Sequence, residues 1–137
     1  MARLATTTFD TLRPRLLAEF WSIVTDQPIV CDWGRYVALD GMPSLAFHYV
    51  PDPTPGKNRI HVDLFTDDSG SEIDRLLDAG ATLVSTVVQP GASWTVLADP
   101  DGNLFCLVDS INPEEWDEGG PDAATTMARF RGADQSR

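Results

Sequence analysis

One order of elements is written twice along this chain, and that repetition constrains the fold more than any single motif does. Residues 4–9 carry β-branched Thr6, Thr7 and Thr8 between apolar ends and read as a strand. Asp10 or Thr11 then stands as a helix N-cap, and Pro14 falls in the first turn, where its missing N–H costs little. Leu12, Leu16, Leu17, Phe20, Trp21, Ile23 and Val24 follow at helical spacing. Asp26, Gln27 and Pro28 end the helix. Three short apolar runs come next, at 29–31, 36–39 and 44–50, separated by the turn signals Asp32-Trp33-Gly34 and Asp40-Gly41.

Pro51-Asp52-Pro53-Thr54-Pro55-Gly56 is a stiff polar link, after which the order recurs. Residues 59–65 alternate as a strand. Asp67 or Asp68 caps a helix through Ile73, Leu76 and Leu77, and Gly80 stops it. Strands are expected at 82–88, 94–98 and 104–108, with turns at Gln89-Pro90-Gly91 and Asp99-Pro100-Asp101-Gly102-Asn103. The letters of the two halves barely agree; what repeats is strand, helix, then three strands. This predicts one α+β domain over residues 1–109, made of two βαβββ halves at about 3–50 and 58–109, with both helices outside the sheets. Residues 110–137, rich in Gly, Asp, Pro and Glu, read as an acidic, loosely ordered tail that Trp116 or Phe130 would dock.

Composition narrows the function. At 137 residues the chain is long enough to be stable without structural metal or disulfides. Cys31 and Cys106 are its only cysteines, and no signal-peptide pattern opens it, so a cytoplasmic location with free thiols is expected. No apolar run approaches the ~18 residues of a membrane span. Ten basic against 21 acidic residues leave a net charge of −11, which opposes nucleic acid and anionic membrane surfaces.

Several stretches together carry a family likeness. They are Leu17-Ala18-Glu19-Phe20-Trp21, then Lys57-Asn58-Arg59-Ile60-His61-Val62-Asp63-Leu64, then Leu76-Leu77-Asp78-Ala79-Gly80-Ala81. The last runs from Trp94-Thr95-Val96-Leu97-Ala98 through the 99–103 turn to Leu104-Phe105-Cys106. In this order they resemble a glyoxalase-like domain of the vicinal oxygen chelate superfamily, which also holds bleomycin-resistance proteins and dioxygenases. The resemblance covers residues 3–109. It implies a curved mixed sheet around a central cleft, and commonly a homodimer. The fold hosts unrelated activities, so it names no reaction.

Metal-using members of that superfamily hold a divalent ion with four side chains, one each from the first and last strand of both halves. Carried onto this chain, those positions are Thr6, His48 (or Phe47, one residue away), His61 and Cys106. Thr6 is a poor ligand and Cys106 stands where a carboxylate is usual, so no complete metal site and no cofactor are expected. Strand alternation sends Arg59, His61 and Asp63 to one face, which the resemblance makes the cleft. Tyr36 and Trp94 would supply flat apolar walls, with Trp33 exposed in a turn. The expected ligand site is therefore Thr6, Tyr36, His48, Arg59, His61, Asp63, Trp94 and Cys106, with no catalytic residue assigned. The leading reading is a small-molecule binder that sequesters a neutral or cationic aromatic compound. The alternatives are a lyase or isomerase acting in the same cleft, with or without metal, and a passive interaction module.

Overall fold

Two four-stranded sheets form, each from one half of the chain, in a computed structural model that describes residues 1–111. The first half contains β1 (Thr6–Thr11), α1 (Pro14–Thr25), β2 (Ile29–Asp32), β3 (Tyr36–Leu39) and β4 (Ser44–Tyr49). The second contains β5 (Asp63–Phe65), α2 (Ser69–Ala79), β6 (Thr82–Gln89), β7 (Ala92–Ala98) and β8 (Leu104–Ile111). The strand orders are β1-β4-β3-β2 and β5-β8-β7-β6. In each sheet the first strand pairs parallel to the last, and the other pairs are antiparallel. The expected α+β architecture of two βαβββ halves is what the chain adopts. β8 takes in the first two residues of the expected tail; the rest of that tail, with Trp116 and Phe130, lies outside the described residues.

Both helices meet one core. Leu17, Ala18, Phe20, Trp21 and Val24 of α1 pack with Val37, Leu39 and Phe47 of their own sheet and with Leu76, Leu97, Phe105 and Leu107 of the other half. Leu12, Leu16 and Ile23, expected on that apolar face, are exposed instead. The buried stripe is 14, 17, 18, 20, 21 and 24, one face of the helix. The helix start also differs from expectation: β1 runs on to Thr11, and Arg13 is the residue before the helix. Pro14 at the first helical position disfavours helical geometry in its predecessor, which sets the boundary there. The Thr11 hydroxyl still contributes by accepting the Arg13 N–H at 3.0 Å. Asp68 caps α2 through Ser71, and Gly80 ends it at φ 119° with bonds back to Leu76 and Leu77. The Ser71 hydroxyl and backbone N–H hold the Asp68 carboxyl below the usual aspartate range.

The Asp99-Pro100-Asp101-Gly102-Asn103 turn does more than reverse the chain. Buried Asp99 accepts the Trp21 indole N–H at 3.0 Å, the Asp101 and Asn103 backbone N–H groups at 2.9 Å each, and the Asn103 amide at 2.8 Å. Asp101 accepts from Thr11 and Arg13 of the first half. At the far end of α1 the Arg75 guanidinium caps the carbonyls of Ile23 and Val24. The halves are therefore joined by apolar packing along α1 and by polar ties at each of its ends.

β5 is shorter than the strand expected at 59–65. The reason is Asn58, whose side chain accepts the Leu104 N–H at 2.8 Å and donates to the Leu104 carbonyl at 2.9 Å. These are the backbone groups that a longer β5 would have bonded. A side-chain amide thus takes the place of two ladder bonds, and regular pairing begins only where Cys106 N–H meets Val62 C=O at 3.0 Å.

Candidate functional site

The faces turned away from the helices carry the polar side chains. At the start of β5, Val62 and Leu64 pack into the core, while Asp63 and, two residues earlier, His61 are both about half exposed. On β8, Phe105 and Leu107 go inward, so Cys106 joins His61 and Asp63 outside. Asp63 and Cys106 are direct cross-strand partners. His61 Nε2 lies 3.4 Å from Asp63 Oδ1, and one donor atom of each of the three residues falls within 4.8 Å of the others. Burial pushes the Cys106 thiol up, and the charge and hydrogen bond of Asp63 push it further. Cys106 is accordingly a neutral thiol at pH 7, donating to the carboxylate. Beside it, Trp94 and Cys106 pack with Ala92 and Val108 as a small second cluster.

The first half builds its own group. Phe47 is fully buried in the core, so His48 is the outward residue and the register alternative is settled. His48 pairs with Tyr36 across β3, ring centroids 6.3 Å apart, and Tyr36 lies 5.8 Å from exposed Trp33. On its other side His48 is the register partner of Asp10. Thr6 is not part of this group, since its hydroxyl is taken by Ser44 at 3.1 Å. By register, Thr8 stands two residues before the partner of His48, as His61 stands two before the partner of Cys106. Thr8 is therefore the first-strand counterpart of His61.

Between the halves, along β1 and the 53–62 segment, lies a cavity of about 570 Å³. Of the residues expected at a ligand site, Arg59 and His61 line it; Thr6, Tyr36, His48, Asp63, Trp94 and Cys106 do not. Its apolar wall comes from Phe9, Trp21 and Phe105 instead of Tyr36 and Trp94. Thr8, Asp10, Lys57 and Asn58 also line it, and none of them was expected. Lys57 is the only lysine in the chain, which was a usable signal in so acidic a sequence. Asp10 was legible only as a cap, and its position emerges from the extension of β1.

The family model for a glyoxalase-like domain matches residues 6–108. The chain belongs to the glyoxalase-like domain family. Solved structures agree on the fold. A glyoxalase/bleomycin resistance protein/dioxygenase family enzyme from Burkholderia phytofirmans is 18% identical, over 78% of this chain and 98% of that one, with a TM-score of 0.70. The bleomycin resistance determinant encoded on transposon Tn5 is 21% identical over 78% and 97%, at 0.58. Lactoylglutathione lyase from Agrobacterium tumefaciens is 15% identical over 79% and 93%, at 0.57. No curated protein matches. At such identities the likeness is one of fold, and that fold spans both a resistance determinant and a lyase.

The four metal positions of a glyoxalase-like domain do not fit this chain as a set. The first-strand position is a threonine whether it is taken as Thr6 or as Thr8. His48 and Asp10 stand outside the one group of three metal-capable side chains found among the described residues. That group, His61, Asp63 and Cys106, belongs wholly to the second half. Cys31 and Cys106 are both free. Among the described residues no helix is long and apolar enough to cross a membrane.

Proposed function

We propose that this glyoxalase-like domain binds and sequesters a neutral aromatic small molecule in the cavity between its halves, without the family's full metal set. The observation that carries this reading is the cavity itself: about 570 Å³, with an aromatic wall at Phe9 and polar groups converging from Thr8, Asp10, Lys57, Asn58, Arg59 and His61. Sites for drug-sized ligands span roughly 300–1,000 Å³ and combine apolar walls with a few placed polar groups. Charge selects within the neutral-to-cationic range expected from sequence. The net −11 repels an anion at a distance, while Lys57 and Arg59 at the rim repel a cation on arrival. A neutral ring system bearing carbonyl or hydroxyl oxygens satisfies both. We further infer a cytoplasmic homodimer, from the family likeness and the exposed Trp33.

Planar neutral aromatics with oxygen substituents, and matched cationic and anionic analogues, test the ligand class by thermal shift. A saturating stabilisation is expected with the neutral members, reaching about 2.7 kcal/mol at a hundredfold excess over Kd. No shift with any member, or a shift confined to the charged analogues, counts against the reading. Recovery of the ligand unchanged after prolonged incubation supports sequestration, and a chemically altered ligand supports the lyase or isomerase alternative. Light scattering at micromolar concentration is expected to give the mass of two chains; a one-chain mass removes the dimer.

A further inference from the structure

The failure of the family's metal set leaves a specific remainder. Asp63 opens β5 and His61 stands two residues before it, its Nε2 3.4 Å from the Asp63 carboxylate, and Cys106 is the cross-strand partner of Asp63 on the adjoining parallel strand. Nitrogen, oxygen and sulfur donors thus converge where the β5–β8 pairing begins. A tetrahedral zinc ion, with bonds of about 2.0–2.3 Å, requires donors about 3.3–3.6 Å apart. The His61–Asp63 separation of 3.4 Å already meets this, and the widest separation in the trio is within 4.8 Å. His61 and Asp63 are half exposed, so an ion has access, and neither is held by a buried ion pair that binding must break. The carboxylate that the β8 position lacks is supplied by its neighbour on β5.

We propose that His61 Nε2, an Asp63 carboxylate oxygen and the Cys106 sulfur form a three-donor site for a borderline divalent cation of the zinc class. The site lies entirely within the second half, with its fourth coordination position open. The first half contributes nothing to it: Thr6 is occupied by Ser44, and His48 packs against Tyr36. This differs from a four-ligand site shared between halves and makes no use of the cavity ligand.

Cobalt titration of the full chain, with no organic ligand present, tests the site by absorption. The chain has two histidines and two cysteines in all, so each signal can be assigned by substitution. One equivalent of cobalt, displacing the Cys106 thiol proton to the buffer, should give a thiolate-to-metal charge-transfer band and tetrahedral visible bands, both displaced by zinc. Cys106→Ser should abolish the charge-transfer band. His61→Ala and Asp63→Asn should each weaken cobalt binding at least about tenfold. Cys31→Ser and His48→Ala should leave the spectrum and affinity unchanged. Circular dichroism on each variant identifies any that fails to fold, and Asp63→Glu, which keeps the carboxylate, should retain binding. The absence of a charge-transfer band in the folded wild-type chain overturns the proposal, and so does loss of binding in His48→Ala, which would place the ion between the halves.

Discussion

Asp99→Ala should lower the thermal midpoint by roughly 10 °C, the shift that about 3 kcal/mol produces in a domain of this size. The carboxylate is 3% exposed and accepts four hydrogen bonds, from Trp21, Asp101 and twice from Asn103. Its removal strands the indole N–H in the core, where an unsatisfied donor costs about 1–3 kcal/mol. The turn N–H groups lie nearer water and recover part of their loss. Trp21→Phe keeps most of the ring's packing and deletes the one bond, so a cycle with Asp99→Ala measures the coupling directly. Asp101→Ala removes a partner of exposed Arg13, worth no more than about 1 kcal/mol, and also the acceptor of the buried Thr11 hydroxyl, so it should cost about 1–3 kcal/mol. If Asp99→Ala melts within two or three degrees of wild type, water fills the site and the turn is not the tie between halves that its bonds suggest.

That tie marks where sequence reasoning stops short. The order of elements was legible because each element rests on local signals: alternating apolar positions, Pro14 at a helix start, Gly80 at a helix end, Asp-Gly turns between strands. Asp99-Pro100-Asp101-Gly102-Asn103 was equally legible as a turn. Its partners Thr11, Arg13 and Trp21 lie some eighty to ninety residues away, and no local pattern reports a contact of that separation. The shortened β5 has the same cause. Alternation alone predicts strand from residue 59, and nothing in the letters says that the Asn58 amide will occupy the backbone of Leu104.

The site divides along the same line. Alternation put His61 beside Asp63, and the two do lie 3.4 Å apart although His61 precedes the regular pairing of β5. Cross-strand register is a property of two segments together. It decides that Asp63 stands beside Cys106, that Asp10 stands beside His48, and that Thr8 instead of Thr6 corresponds to His61. The letters alone put His61, Asp63 and Cys106 in one expected site without showing that Asp63 and Cys106 are direct cross-strand partners. It also gathered Tyr36, Trp94 and His61 into one site, whereas the chain distributes them over two sheet faces and a seam.

That distribution sets the sharpest functional expectation. With a chelator present, so that no metal contributes, His61→Ala should weaken binding of a neutral aromatic ligand about five- to a hundred-and-fifty-fold. This is the equivalent of the about 1–3 kcal/mol for a hydrogen-bonding group that the bound ligand covers from water. Lys57→Ala and Arg59→Ala should each cost less, because these rim groups are exposed and water replaces them. Trp94→Ala and Tyr36→Phe should leave the affinity within about twofold, since neither residue lines the cavity. Phe9→Ala should weaken binding too, but Phe9 also contacts Trp21 and Phe47, so its affinity must be compared with its own melting curve. The pattern across these variants carries the argument. Equal losses in Trp94→Ala and His61→Ala would move the ligand out of the seam and onto the sheet face beside Cys106. There it would compete with a metal ion for His61, and adding zinc would displace it. In the seam the ligand meets His61 from the side of β1, and its affinity should depend on the histidine but not on Asp63 or Cys106.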